Sequence, residues 1–237
     1  TGYSVLLIDF DPQGSLSKSL LGEENLSKHR GIEEILSNSK QNVTDFIVST
    51  RLKNVYIIPS HSGLSEVSIK LLMSAGFFAL KDIIKKIGST GSPNGFDFIL
   101  IDTNPSLGQL TINALSAADS VIIPINPEYY ATMGLTDLTK TILKIRKRIN
   151  PGIQFEGILM TMCDMQTNLH KEVCAEVTEA YGNGMKIFKM QIPRSIRVGE
   201  ANRYGMSVID FDRKSKAGLA YGEVAKELIA NGNKTNS

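Results

Sequence analysis

The sequence predicts an α/β fold: a mostly parallel β-sheet with helices on both faces. Two observations carry that prediction. Apolar runs of strand length alternate with stretches of helical period, the pattern left by parallel strands joined through crossover helices. Several of those runs are almost wholly apolar, as strands buried on both faces must be. The composition agrees, since 237 residues with 42% hydrophobic and 21% charged side chains can bury a sizeable core. One domain covering residues 1–237 is the simplest organisation.

Strands are expected over residues 3–8, 55–58, 96–101, 121–125, 153–160 and 186–190. Helices are expected over 64–87, 134–149 and 218–230. In the second helix Leu135, Leu138, Ile142, Ile145 and Ile149 share one face, while Lys140, Lys144, Lys147 and Arg148 fall elsewhere and read as a solvated face. The run GSTGSPNG at 88–95 reads as a helix-to-strand connection, and the polar residues 231–237 as a frayed tail.

Several classes are disfavoured. No apolar run reaches the roughly 18 residues a membrane span needs, and the first residues lack the order of a secretion signal. A cytoplasmic location is therefore expected. Cys163 and Cys174 lack the spacing of a metal or redox pair and read as ordinary reduced thiols. His29, His61 and His170 are scattered without ligand spacing. A net charge of +2 points to no particular partner.

The informative residues are carboxylates placed where strands end. In VLLIDFDPQGS, Asp9 closes an apolar run, Asp11 comes two residues later, and Pro12-Gln13-Gly14 turns the chain. In FDFILIDTNPS, Asp102 closes another run before the turn at Asn104-Pro105. Open α/β sheets bind ligands beyond the carboxyl ends of their strands. A poorly solvated carboxylate there is costly unless it meets a cation, and Mg²⁺ prefers oxygen ligands. The alternative is that either Asp caps the next helix.

These segments also resemble a known family. GYSVLLIDFDPQGSLS looks like the second nucleotide motif of ParA/Soj-type partition ATPases, and FDFILIDTNPSLG resembles their Walker B segment. VIIPINPEYYATMGL, GILMTMCDMQTNL and IPRSIRVGEANRYGMSVIDFDRKSKAGLAY are similar to later segments of that family, in the same order. The resemblance implies a P-loop NTPase-like fold and a MgATP-dependent homodimer. Such a protein would bind duplex DNA nonspecifically, hydrolyse ATP slowly and answer to a ParB-like centromere-binding protein, for a plasmid, chromosome or mobile element. It would be nucleoid-associated; separately, the helix expected over 218–230, with Lys226 between Glu223 and Glu227 and a polar tail after it, argues against a membrane anchor. By position, Asp11 would orient or activate the attacking water, Asp102 would bind Mg²⁺, and Thr161, Met162 and Pro193 would lie near the adenine.

The sequence departs from the family pattern in three places. Nothing in it resembles the lysine-rich phosphate loop of the KGGxGKTT kind. The expectation is a sequence lacking the first strand and that loop; the alternative is a DNA- or protein-binding module that works without nucleotide. Asn104 stands where the family has a second proline. Val198-Gly199 and Asn202 replace its usual Leu-Ser and Pro.

Between residues 186 and 216, Lys186, Lys189, Arg194, Arg197, Arg203, Arg213, Lys214 and Lys216 face only Glu200, Asp210 and Asp212. Such an excess suits contact with a phosphate backbone without base reading. From charge alone a solvated face is equally reasonable; the resemblance favours DNA, with Arg194, Arg197, Lys214 and Lys216 as contacts. Tyr129 and Tyr130 read as packing residues, with a place in a dimer interface as the alternative, Asp164 as either a base contact or a loop cap, and Met160, Met162 and Met165 as core and pocket walls.

Overall fold

The computed structural model describes residues 2–89 and 95–235. Packing divides the chain into two compact units, Thr1–Ala118 with Lys147–Pro151, and Asp119–Arg146 with Gly152–Ser237.

The first unit runs β1 (Val5–Phe10), α1 (Ser15–Leu21), α2 (Glu23–Leu26), α3 (Ile32–Ser37), a 3-10 turn (Val43–Phe46), β2 (Val48–Ser49) and β3 (Val55–Ile58). It continues with α4 (Leu64–Met73), α5 (Ala79–Ser89), β4 (Phe98–Thr103) and α6 (Gln109–Ala117). Its sheet has the order β2-β3-β1-β4, with β1 parallel to β3 and β4 and the short β2 antiparallel. Leu6, Ile8 and Phe10 of β1 are fully buried in a core with Ile32, Phe46, Ile58, Leu64 and Leu80. Both β1 and β4 begin and end two residues later than the apolar runs suggest, because each carries its terminal Asp inside the ladder.

The expected helix over 64–87 is two helices. α4 stops at Met73, Ala75 takes the left-handed φ of 51°, and the Gly76 amide donates to Leu71 O at 2.8 Å. The break is pinned from α6. Buried Asn113 donates to Gly76 O at 2.8 Å and accepts from the Leu80 amide at 3.3 Å. Buried Ser116 donates to Phe77 O at 2.6 Å. Residues 90–94 of the expected 88–95 connection lie outside the described residues, and Gly88 and Ser89 belong to α5.

The second unit holds β5 (Ser120–Ile125), α7 (Ala131–Arg148) except its last two residues, β6 (Gln154–Met160), α8 (Asn168–Tyr181), α9 (Ile196–Arg203), α10 (Val208–Phe211) and α11 (Lys216–Thr235). β5 and β6 pair in parallel. In α7, Leu135, Ile142 and Ile145 are buried, while Lys140, Lys144, Lys147 and Arg148 are exposed. The expected strand at 186–190 is a pair of isolated bridges instead, Ile158 to Ile187 and Cys163 to Pro193. The chain touches β6 at Lys186 and Phe188, leaves it, and returns where the Ile192 amide donates to Met160 O. Helix α11 runs through Thr235, so most of the expected frayed tail is helical.

Candidate functional site

The parallel register of β1 and β4 sets Asp9 opposite Asp102 and Phe10 opposite Thr103. Both strands therefore end in acidic turns at the same edge of the first unit's sheet. The two turns differ in how their carboxylates are held.

Asp9 is fully buried. Its Oδ2 accepts from the Ser17 amide at 2.8 Å and the Ser17 hydroxyl at 2.6 Å, and its Oδ1 accepts from the Asp11 amide at 3.2 Å. Ser17 Oγ in turn accepts from the Ser60 amide at 3.0 Å, tying the turn to the end of β3. The turn requires glycine at position 14. Gly14 has φ 61°, and a Cβ there would meet Ser60 O at 2.9 Å. The sequence marked Asp9 only as a strand end; its role as a structural lock depends on Ser17, eight residues on.

Asp11 sits half-buried in the turn so formed. Its Oδ1 accepts from the Gln13 amide at 2.9 Å, and its main-chain oxygen accepts from the Gly14 amide at 2.9 Å and from the Ser60 hydroxyl. Its Oδ2 has no hydrogen-bond partner among the described residues.

Asp102 as a residue is exposed, yet its carboxyl is pushed above the usual carboxylate range, first by the surrounding protein and then by the charges of Asp9 and Asp11. The repulsion from the two neighbouring carboxylates acts in the same direction as the desolvation. A cation beside Asp102 would relieve it. Among the described residues no group of three or more His, Cys, Asp or Glu side chains could cage a metal. Mg²⁺ needs no cage, because it keeps several waters and binds through one or two carboxylates together with phosphate oxygens. The donors present fit that mode.

In the second unit, Thr161, Met162 and Pro193 come together just beyond β6. The Thr161 amide donates to Ile125 O at 2.7 Å, Cys163 bridges to Pro193, and the Arg194 amide donates to Cys163 O at 2.9 Å. Met162 is 54% exposed with φ 55°, so its side chain is offered outward from a left-handed turn. Asp164 caps its own loop, with Oδ1 accepting from the Gln166 amide at 3.1 Å, and its amide donates to His170 Nδ1 at 2.9 Å. Of the three methionines only Met160 is core. Tyr129 and Tyr130 stack edge-to-face on each other at 4.9 Å but are each 72% exposed, which corrects their reading as packing residues. Cys163 and Cys174 are buried free thiols. Burial and the neighbouring Cys174 push Cys163 up to about 12, and burial raises Cys174 as well, so neither is a thiolate at neutral pH.

The basic candidates Arg194, Arg197, Lys214 and Lys216 are all exposed. Arg197 is partly committed, pairing with Glu200 at 2.9 Å and Asp212 at 3.6 Å. Arg194, Lys214 and Lys216 form no ion pair among the described residues. No helix among the described residues is long and apolar enough to cross a membrane.

A parallel α/β fold with acidic turns at the carboxyl ends of adjacent strands defines a class that comparison with known proteins narrows. Residues 1–155 match the family described as AAA domain. The sporulation initiation inhibitor protein Soj of Bacillus subtilis is 37% identical over 231 residues, covering 98% of this chain and 88% of that protein. The chromosome partitioning protein ParA of Caulobacter vibrioides is 36% identical, covering 97% and 84%. A Mycobacterium smegmatis structure described as cobyrinic acid a,c-diamide synthase with bound ATP analog and magnesium superposes with a TM-score of 0.80 at 31% identity, covering 98% and 84%. The chain belongs to the ParA/Soj family of partition ATPases.

Proposed function

We propose that this protein is a single-domain partition ATPase that binds ATP with Mg²⁺, dimerises in that state, coats duplex DNA without reading its sequence, and leaves the DNA on hydrolysis. The observation that carries the reading is the register of β1 and β4, which sets Asp9 against Asp102, with Asp11 two residues beyond Asp9 in the turn. The ATP analog and magnesium in the M. smegmatis structure and the chromosome-partitioning name of the Caulobacter ParA relative support it.

Bound Mg²⁺ would neutralise phosphate charge and polarise the transferring group. Asp102 would hold the ion, consistent with a carboxyl already destabilised as an anion by desolvation and then by Asp9 and Asp11. Asp11 would orient the attacking water through the oxygen its own turn leaves unbonded. Asp9, already occupied by Ser17 and Asp11, would keep the turn rigid. Thr161, Met162 and Pro193 would contact the adenine. Phosphate contacts are assigned to no residue, because nothing in the sequence resembles the lysine-rich loop.

Arg194, Lys214 and Lys216 would supply the DNA contacts, with Arg197 contributing less while it is paired. A ParB-like protein bound at a centromere-like site would be the partner, and the protein would work in the cytoplasm on the nucleoid. The test is binding to duplexes of unrelated sequence, with ATP or ADP, across a salt series. Affinity should be equal for all sequences and fall steeply with salt, and the Arg194→Ala, Lys214→Ala, Lys216→Ala triple variant should lower the log–log slope by about 2–3. A flat salt response would overturn the assignment of this surface.

A further inference from the structure

The outer face of α4 is apolar. Ile69, Leu72 and Met73, spaced to share one side of the helix, are 61%, 63% and 84% exposed. Phe78, just past the helix break, is 45% exposed. Single exposed apolar residues are ordinary, but a run of large ones along one helix marks a contact surface. The opposite face of α4 is already spent: Leu64, Val67 and Leu71 are buried in the core. The ridge therefore adds nothing to the first unit's own packing.

Beside the ridge, α3 and α4 enclose an open groove of about 300 Å³ lined by Glu33, Glu34, Glu66, Val67 and Lys70 among others. Glu34 pairs with Arg30 at 2.8 Å. Glu33 accepts only from the His61 amide at 3.3 Å, and neither Glu33 nor Glu66 has an ion-pair partner among the described residues. Two uncompensated carboxylates thus flank one side of an apolar ridge.

We propose that the α4 ridge and the adjoining groove form a docking surface for a basic amphipathic helix of a partner protein. Apolar side chains of that helix cover Ile69, Leu72 and Met73, and its Lys or Arg side chains reach Glu33 and Glu66. The geometry is that of an amphipathic helix laid along a surface that is apolar on one side and charged on the other. Charge complementarity selects this occupant: with Glu34 paired to Arg30, Glu33 and Glu66 outnumber Lys70 in the groove and leave it net acidic. The ridge residues Ile69, Leu72 and Met73 lie on α4 outside the acidic turns, although Glu33 reaches His61, next to the Ser60 that ties the β1 turn; the inference uses none of the nucleotide reading.

The probe is a synthetic 20-residue peptide with leucines at helical spacing and lysines elsewhere, compared with the same peptide carrying glutamates for lysines. Binding to the labelled peptide is read by fluorescence anisotropy. The wild-type protein should bind the basic peptide at least about tenfold more tightly than the acidic one, and the Leu72→Ser, Met73→Ser variant should lose about tenfold or more, as truncated anchor residues do. The Glu33→Gln, Glu66→Gln variant should lose about three- to tenfold and show a weaker salt dependence. All four positions lie outside the buried core, and unchanged thermal melting confirms that the variants fold. Equal binding of the two peptides, or unchanged binding by the ridge variant, overturns the proposal. So does a wild-type dimer in sedimentation that the ridge variant converts to monomer, which would give the face to a second copy.

Discussion

Asp9 and Asp102 occupy the same rung of the β1–β4 ladder, yet they are opposite kinds of carboxylate. Asp9 is fully buried and receives three hydrogen bonds from its own turn. Asp102 is exposed, with its carboxyl pushed upward by burial of the group and by Asp9 and Asp11. The difference lies in the turn at the end of each strand. After β1 comes a turn in which Ser17 and the Asp11 amide supply donors that consume the charge. After β4 comes Asn104-Pro105, and no hydrogen bond to the Asp102 carboxylate comes from the described residues. Position on a strand end makes a carboxylate available; the turn beyond it decides whether it is a structural lock or an open ligand.

The largest test of that contrast is Asp9→Ala. It strips three donors of their acceptor in a buried site and should cost about 3 kcal/mol of folding stability. Chemical denaturation would measure it, and a loss under about 1 kcal/mol would remove Asp9 from its structural role. Next is Gly14→Ala, which combines a left-handed φ with a close approach to Ser60 O and should cost about 1–2 kcal/mol. A neutral effect would mean that the turn relaxes freely.

The smallest effect is electrostatic. Because the folded pKa of Asp102 lies above its unfolded value of 3.8, folding takes up a proton. Its contribution favours the folded state below pH 3.8 and is lost as pH rises through the folded pKa. Asp102→Asn should therefore be at least as stable as the parent at neutral pH, and its stability should decline less across that acid-side window. Urea midpoints over a pH series would show this. A variant less stable at pH 7 and unchanged in slope would reverse the sign of the account.

The strands were the most legible part of the chain. Runs such as VLLIDF and FILIDT stand out by their apolar content and carry Asp11 and Asp102 to recognisable places, although only β1 is largely buried and β4 leaves Leu100 45% exposed. What escaped the sequence depended on distant partners. Helix α6 hides its period because Gln109, Leu110, Thr111, Asn113, Ala114, Leu115 and Ser116 are all buried. The α4–α5 break is held by Asn113 and Ser116, more than 30 residues downstream. β2 is two residues long, too short to leave a pattern. Residues 186–190 are apolar enough for a strand but touch β6 only intermittently, where Gly157 has φ 156° and Phe188 lies against it. At the site, the candidate ligand and water-orienting residues were legible from strand ends and family likeness. The division of labour between Asp9 and Asp102 was not, because it rests on Ser17 and Ser60.

The most direct test of the central claim is the Mg²⁺ dependence of ATP hydrolysis by the protein, compared with its Asp102→Asn variant. If Asp102 holds the ion, the variant should need at least about tenfold more Mg²⁺ for half-maximal rate, the loss expected when a carboxylate that supports a metal site is removed. Superimposable Mg²⁺ curves for the two proteins would contradict the assignment and leave the open carboxylate at the end of β4 without a function.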